Sequence, residues 1–161
     1  MRHHSVWSCA LALALCFAIP LTGLAGDNSY KVNYDGGSFA EIKSGTDLKL
    51  YISGNKIRFV KGGKDIQVIP ASSVTEISYG QDVHRRVGAA IGIGLVTFGI
   101  GGLMALTKSK KHFIGLTWDN EGKKGGLAFQ ADKDDYRGIL TGLEGVTGRK
   151  AVNSDTLSVK N

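Results

Sequence analysis

Three carboxylates near the C-terminal end of the chain are side chains of the type that binds a metal ion. Asp132, Asp134 and Asp135 lie within four residues of one another, and carboxylate oxygens are preferred ligands of Ca²⁺ and Mg²⁺. Their spacing lacks the later glutamate of a calcium-binding loop. They directly precede a stretch with helical periodicity, where acidic residues cap and stabilise a first turn. We therefore expect helix capping here, with no metal and no cofactor.

Two histidines and two serines are the other candidates for chemistry. His84 and His112 border the same apolar segment, but a zinc site needs further ligands and the sequence offers none beside them. Ser72 and Ser73 follow Pro70 in a predicted turn and lack the flanking glycines of a nucleophile elbow. The sequence therefore predicts no catalytic residue, and the protein is expected not to be an enzyme.

The strongest signal in the chain is a twenty-residue apolar segment, 87–106, that carries no charge. As a helix it has a length of about 30 Å, close to the hydrocarbon thickness of a bilayer. Its small residues recur every four positions, a spacing that lets helix backbones approach closely in lipid. We expect glycine-zipper packing at Gly88, Gly92, Gly94, Gly101 and Ala105. The alternative is a plain anchor, because glycine is common in membrane segments.

Basic residues lie on both sides of this segment. We expect five of them to contact lipid headgroups, namely Arg85, Arg86, Lys108, Lys110 and Lys111. A segment that spans a membrane once usually shows a charge asymmetry between its ends, and two residues against three is no asymmetry. The pattern favours attachment from one side of the membrane, and a true single-span transmembrane helix remains the alternative.

The first 25 residues have the layout of a secretory signal peptide. An apolar core at 9–19 ends at Pro20, and the small residues Gly23 and Ala25 suit a cleavage site. Cleavage after Ala25 removes both cysteines, so the exported chain has no disulfide. We expect a membrane-associated protein of the cell envelope, on its periplasmic or extracellular face.

The charge of the chain points to the same partner. The formal net charge is +6, which suits an anionic lipid surface. Export and the scattered placement of the basic residues argue against nucleic acid. We therefore expect a lipid bilayer as partner, with a homo-oligomer and a protein or lipid ligand as further candidates.

Alternation of apolar and polar residues predicts short β-strands on both sides of the apolar segment. The predicted strands lie at about 30–34, 48–53, 56–59, 65–68, 74–79, 112–118 and 126–131. Tyr136, Ile139, Leu140 and Leu143 then recur at helical spacing, which predicts an amphipathic helix over 133–147. Residues 153–161 are expected to form a polar disordered tail.

This order of elements resembles the pleckstrin-homology superfold, in particular bacterial PH-like and GRAM-like domains. The apolar patterns that carry the resemblance lie at 48–52, 55–59, 69–77, 114–118, 126–129 and 143–148. The resemblance implies an α+β fold with a small antiparallel PH-like sheet or barrel of about seven strands and a C-terminal amphipathic helix. The Gly-rich hydrophobic helix is an insertion between strands, so residues 26–152 are expected to form a single domain that contains the membrane segment. Such domains usually bind lipids or proteins and carry no catalytic residues.

Two functions fit these expectations. The first is a non-enzymatic, membrane-attached binding or scaffolding module of the cell envelope. The second is a glycine-zipper membrane protein that self-assembles into an oligomer or pore. Substitution of Gly92 and Gly101 by Leu separates them, because only the second function requires close helix packing at these positions.

Overall fold

The computed structural model describes residues 28–39, 41–91 and 112–155, and these form one eight-stranded sheet and two α-helices. The elements are β1 (Asn28–Gly37), β2 (Thr46–Ser53), β3 (Lys56–Lys61), β4 (Lys64–Pro70), β5 (Val74–Tyr79), α1 (Val83–Ile91), β6 (His112–Asn120), β7 (Lys123–Ala131), α2 (Tyr136–Thr147) and β8 (Ala151–Asn153). Their order across the sheet is β4-β3-β2-β1-β7-β6-β5-β8. The predicted signal peptide and residues 156–161 of the predicted tail lie outside the described residues.

The alternating segments form strands because alternate side chains point to opposite faces of a sheet. In β2, Leu48, Leu50 and Ile52 are buried, whereas Lys49 is exposed and Tyr51 is half-buried. Strand β1 pairs with β2 on one side and with β7 on the other. The strands before and after the apolar segment therefore belong to one sheet.

The apolar core lies on one face of the sheet, which we call the inner face, and α2 packs on it. Ile139 and Leu143 of α2 are fully buried in the same cluster as Leu50, Phe59 and Phe129. The helix ends at Gly148, which adopts a left-handed conformation (φ 68°) and donates its N–H to the carbonyl of Glu144 at 2.9 Å. The predicted amphipathic helix is thus confirmed over Tyr136–Thr147.

The acidic residues before α2 have a different role from the predicted one. The helix begins at Tyr136, so Asp132, Asp134 and Asp135 precede its first turn, and Asp135 at the cap position makes no side-chain capping hydrogen bond. The backbone carbonyl of Asp132 instead accepts hydrogen bonds from the N–H groups of Asp135 and Tyr136, at 3.1 and 3.0 Å. A turn of the backbone, and not a carboxylate cap, starts this helix.

The predicted fold class is wrong. The sheet is larger than a seven-stranded PH-like sheet or barrel, and it is mixed, because β8 pairs with β5 in parallel. The turn at Gly148 brings the chain back beside β5, where Ala151 pairs with Ile77. A strand of three residues is too short to show alternation, so the sequence pattern did not predict β8 at the edge of the sheet. The inserted hydrophobic helix of the predicted fold is also not found among the described residues.

The transmembrane-helix and glycine-zipper predictions are wrong for the same region. Across the described ranges, no helix is long and apolar enough to cross a membrane. Residues 87–91 are instead the last turn of α1, a nine-residue helix that begins at Val83 and packs on the protein's own sheet. Gly88 is buried within α1. The other predicted packing positions, Gly92, Gly94, Gly101 and Ala105, lie outside the described residues.

Candidate functional site: helix α1 and the outer face of the sheet

Helix α1 lies on the face of the sheet opposite to the core, which we call the outer face. Its apolar contacts form a second, smaller cluster of Val83, Val87, Phe113 and Ala128, with Ile91 at its edge. This cluster shares no residue with the main core on the inner face. The helix is therefore an addition to a sheet whose inner face is already closed by α2.

Two strand glycines let α1 approach the sheet closely. A Cβ atom on Gly115 would lie 2.6 Å from Cγ1 of Val83, and one on Gly126 would lie 2.9 Å from Cγ1 of Val87 and 3.0 Å from Cγ2 of Ile91. A side chain at either glycine would therefore force residues of α1 to shift. Glycine in a strand interior often marks such a close approach, and here it makes the seat for α1.

A buried carboxylate anchors the first turn of α1. Asp35 lies at the bulge of β1 and is only 5% exposed. Its Oδ2 atom pairs with Nε2 of His84 on α1, and its Oδ1 atom accepts a hydrogen bond from Nε2 of Gln130 at 3.3 Å. The His84 ring also meets Phe113 edge to face, with centroids 5.1 Å apart. Burial of a carboxylate is costly without such partners, so this network ties the helix to β1 and β7.

An ion pair between Arg86 and Glu76 ties α1 to β5. The Arg86 guanidinium donates two hydrogen bonds of 2.9 Å, from Nε and Nη2, to the two carboxylate oxygens of Glu76 on β5. The bond to Glu76 raises the pKa of Arg86 above its ordinary value. Of the five residues predicted to contact headgroups, Arg86 is therefore engaged with the sheet, whereas Arg85 is exposed. Lys108, Lys110 and Lys111 lie outside the described residues.

The two residues after β8, Ser154 and Asp155, hold the beginning of α1. Oδ1 of Asp155 accepts hydrogen bonds from the backbone N–H groups of Gln81 at 2.6 Å and Asp82 at 3.4 Å. Ser154 donates its backbone N–H and its hydroxyl to the carbonyl of Tyr79, at 2.8 and 2.9 Å. A carboxylate beside the first turn of a helix satisfies free N–H groups and favours the helix dipole. The first residues of the predicted tail thus connect β8 to α1.

Beyond α1, the outer face of β1, β2 and β3 carries a strip of cations. We call this set the basic strip, and it comprises Lys31, Lys49, Lys56 and Arg58. The register places them on one face, because Lys31 pairs with Lys49, Arg58 with Tyr51, and Lys56 with Ser53. These positions alternate with the buried residues of the inner face.

Two acidic residues partly neutralise the basic strip. Arg58 forms a two-point contact with Asp65, with Nε to Oδ1 at 3.0 Å and Nη2 to Oδ2 at 3.2 Å. Nζ of Lys31 lies 3.2 Å from Oδ2 of Asp47. The hydrogen bond from Asn33 and then the contact with Lys31 lower the pKa of Asp47 below its ordinary value.

The remaining candidates for chemistry serve local structure. The His112 ring stacks in parallel on Tyr136 of α2, with centroids 3.9 Å apart, and so has different partners from His84. The Ser73 hydroxyl donates to the carbonyl of Pro70 at 2.8 Å and closes a turn. In the part of the chain that the structure describes, no group of three or more metal-ligating side chains comes together.

Asp35 and Glu76 were missed as partners by sequence reasoning. Asp35 directly follows the predicted strand at 30–34, and the register of β1 with β7 shifts between Tyr34 and Gly36. A buried carboxylate at a bulge has no signature in one sequence. Gly115 and Gly126, inside predicted strands, were the visible signal for the seat of α1.

No protein-family model matches the chain, and no curated protein matches it. The resemblance to PH-like and GRAM-like domains therefore stays a prediction. The outer face, with α1 on one half and the basic strip on the other, is the candidate site.

Proposed function

We propose that this protein is a non-enzymatic binding or scaffolding module of the cell envelope that attaches to a membrane from one side. The observation that supports one-sided attachment is the antiparallel pairing of β5 with β6. Val74 pairs with Trp118 at one end, and Tyr79 pairs with Ile114 at the other. These strands precede and follow the apolar segment. Because both belong to one sheet, the chain leaves and re-enters the same body, and both flanks of the segment lie on the same side of the membrane.

The composition of the apolar segment supports a lipid partner. Residues 92–106 are apolar or small except for Thr97, and the segment has basic residues on both flanks. Apolar surface inserted at the headgroup boundary, together with basic residues near anionic lipid, is the usual basis of interfacial attachment. Helix α1 leads directly into this segment from the outer face, so the outer face is the side that meets the bilayer.

The contacts of the polar side chains support binding in place of catalysis. The His84–Asp35 pair has two members of a nucleophilic triad, but here it fastens a helix to the sheet, as the Arg86–Glu76 pair also does. Such pairings hold a scaffold in one conformation. The surface left for partners is the outer face beyond α1.

Flotation of the purified exported protein with lipid vesicles tests this function. The comparison variant replaces 92–106 by a short Gly/Ser linker and keeps every described residue. We expect the full protein to float with vesicles that contain phosphatidylglycerol, and the variant to stay in the soluble fraction with unchanged circular dichroism. A full protein that binds no vesicle, or a variant that floats as well as the full protein, would contradict the proposal.

A further inference from the structure

We infer that the basic strip on β1, β2 and β3 is a second membrane contact, which holds the outer face of the sheet against anionic lipid headgroups. The inference rests on the proposed function, because the apolar segment supplies the first contact. It adds a specific surface, a charge preference in the lipid, and an orientation of the sheet relative to the bilayer.

The strip and α1 lie side by side on the outer face. Helix α1 packs over Gly126 and Ala128 of β7, and β7 pairs with β1, which pairs with β2. Neighbouring strands are about 4.8 Å apart, so β2 lies about 10 Å from β7. A twist of about 20–25° per strand turns β2 by about 40–50° relative to β7, so the outer faces of both strands still point to the same side of the sheet. A bilayer that receives the chain from α1 therefore lies within reach of the strip's electric field, which extends about 10 Å at moderate salt.

The charge of this surface favours anions. The strip has four cations, and two neighbouring carboxylates, Asp47 and Asp65, are each paired with a member of the strip. Lys49 and Lys56 are exposed and form no ion pair with any described residue. These two lysines are the cations free to meet lipid phosphates.

The other side chains on this surface suit the headgroup region. Tyr51 is half-buried beneath the Arg58 guanidinium, which lies 5.5 Å from the centre of its ring, and amphipathic aromatic rings are enriched at membrane interfaces. Val68 pairs with Arg58 across β3 and β4 and is 40% exposed. Basic residues beside an aromatic and an apolar side chain therefore suit a layer of anionic lipid headgroups.

The opposite side of the molecule provides a matched control. Lys133 and Arg149 flank α2, which packs on the inner face, and both are exposed and form no ion pair with a described residue. Substitution of this pair removes the same charge as substitution of Lys49 and Lys56. The two double variants differ only in which side of the sheet loses its cations.

The experiment measures partitioning of four proteins onto vesicles of phosphatidylcholine alone and with phosphatidylglycerol. They are the wild type, Lys49→Gln with Lys56→Gln, Lys133→Gln with Arg149→Gln, and Lys49→Arg with Lys56→Arg. A basic residue near an anionic surface strengthens binding about fivefold. We expect the first double variant to bind anionic vesicles about 10- to 25-fold more weakly at low salt, and to match wild type on neutral vesicles. The arginine pair should bind as wild type does.

The outcomes separate this inference from the proposed function. If the wild type binds neither kind of vesicle, the proposed membrane attachment fails. If the wild type binds but the Lys49/Lys56 and Lys133/Arg149 double variants lose equal affinity, or neither loses any, attachment stands and the basic strip is not a contact. A loss that appears equally on neutral vesicles, or that arginine does not restore, would also overturn the inference, because it would show a change of fold or a protein–protein effect in place of a charge effect.

Discussion

The two faces of the sheet carry their helices in different ways. On the inner face, α2 is held by apolar side chains such as Ile139 and Leu143, which belong to the main core. On the outer face, α1 also fully buries two apolar side chains, Val83 and Val87, but in a smaller cluster apart from the main core, and polar ties from His84 and Arg86 add to its attachment. Apolar burial is shared by many neighbours, whereas a polar tie is lost with one substitution. Because α2 packs in the main core and α1 in a separate cluster, we expect α2 to unfold with the core and α1 to be lost more easily.

The largest effect is expected on the inner face. Leu143→Ala removes a fully buried side chain from the core, and such substitutions cost about 3 kcal/mol in the free energy of unfolding. Urea unfolding followed by circular dichroism measures this loss. A cost below about 1 kcal/mol would show that α2 is no more firmly held than α1.

A smaller effect is expected from the buried anchor of α1. Asp35→Ala leaves His84 and Gln130 without their shared acceptor, and a hydrogen bond to a charged group contributes about 1.5–3 kcal/mol. We expect a loss near 2 kcal/mol, with faster amide exchange in α1 than in β2. If amide exchange rises equally in both elements, α1 and the sheet unfold as one unit and the contrast between the faces is wrong.

A substitution at the glycine under α1 should change stability less than loss of Asp35 does, and a glycine in α2 provides the control. Gly126→Ala places a methyl group 2.9 Å from Val87, and overpacking typically costs about 1–3 kcal/mol. Gly145→Ala in α2 meets no atom within 4 Å and should stabilise the protein by up to about 1 kcal/mol, because alanine favours a helix over glycine. Thermal melting of the two variants should move in opposite directions. A shift of the same sign in both would contradict the packing described for α1.

The smallest expected change concerns Asp47 beside the basic strip. Its pKa is lowered, so its contacts stabilise the fold above the ordinary aspartate range and are lost as the pH falls through the folded value. An NMR titration should place its midpoint below 3.8. Asn33→Ala and Lys31→Gln should each raise that midpoint, because the bond from Asn33 is the largest single cause and Lys31 adds a hydrogen bond and its charge. A midpoint that neither substitution moves would contradict the contacts described for this carboxylate.

Local elements followed from the sequence because each has a local cause. Leu48, Leu50 and Ile52 alternate along β2, and Ile139 and Leu143 repeat at helical spacing. The parallel pairing of β8 with β5 had no such cause, because it depends on where α2 ends in space.

The site was less accessible to sequence reasoning than the strands. The apolar run from Val87 has the composition of a membrane helix, yet its first residues pack on glycines that are distant along the chain. The pairing of Asp35 with His84 spans 49 positions, so a single sequence carries no sign of it. The exposed cations Lys49 and Lys56 were visible as residues, but their common face required the register of the sheet.

One-sided attachment is tested most directly by labelling single cysteines placed before and after the apolar segment. Asn55→Cys lies in the exposed turn between β2 and β3, and Asn120→Cys lies at the exposed end of β6. With the native cysteines removed with the predicted signal peptide, each variant carries one thiol. We predict that a membrane-impermeant maleimide applied to spheroplasts labels both variants to the same extent. Labelling of one variant from outside and of the other only after lysis would contradict the account, since it would place β2–β3 and β6 on opposite sides of the membrane.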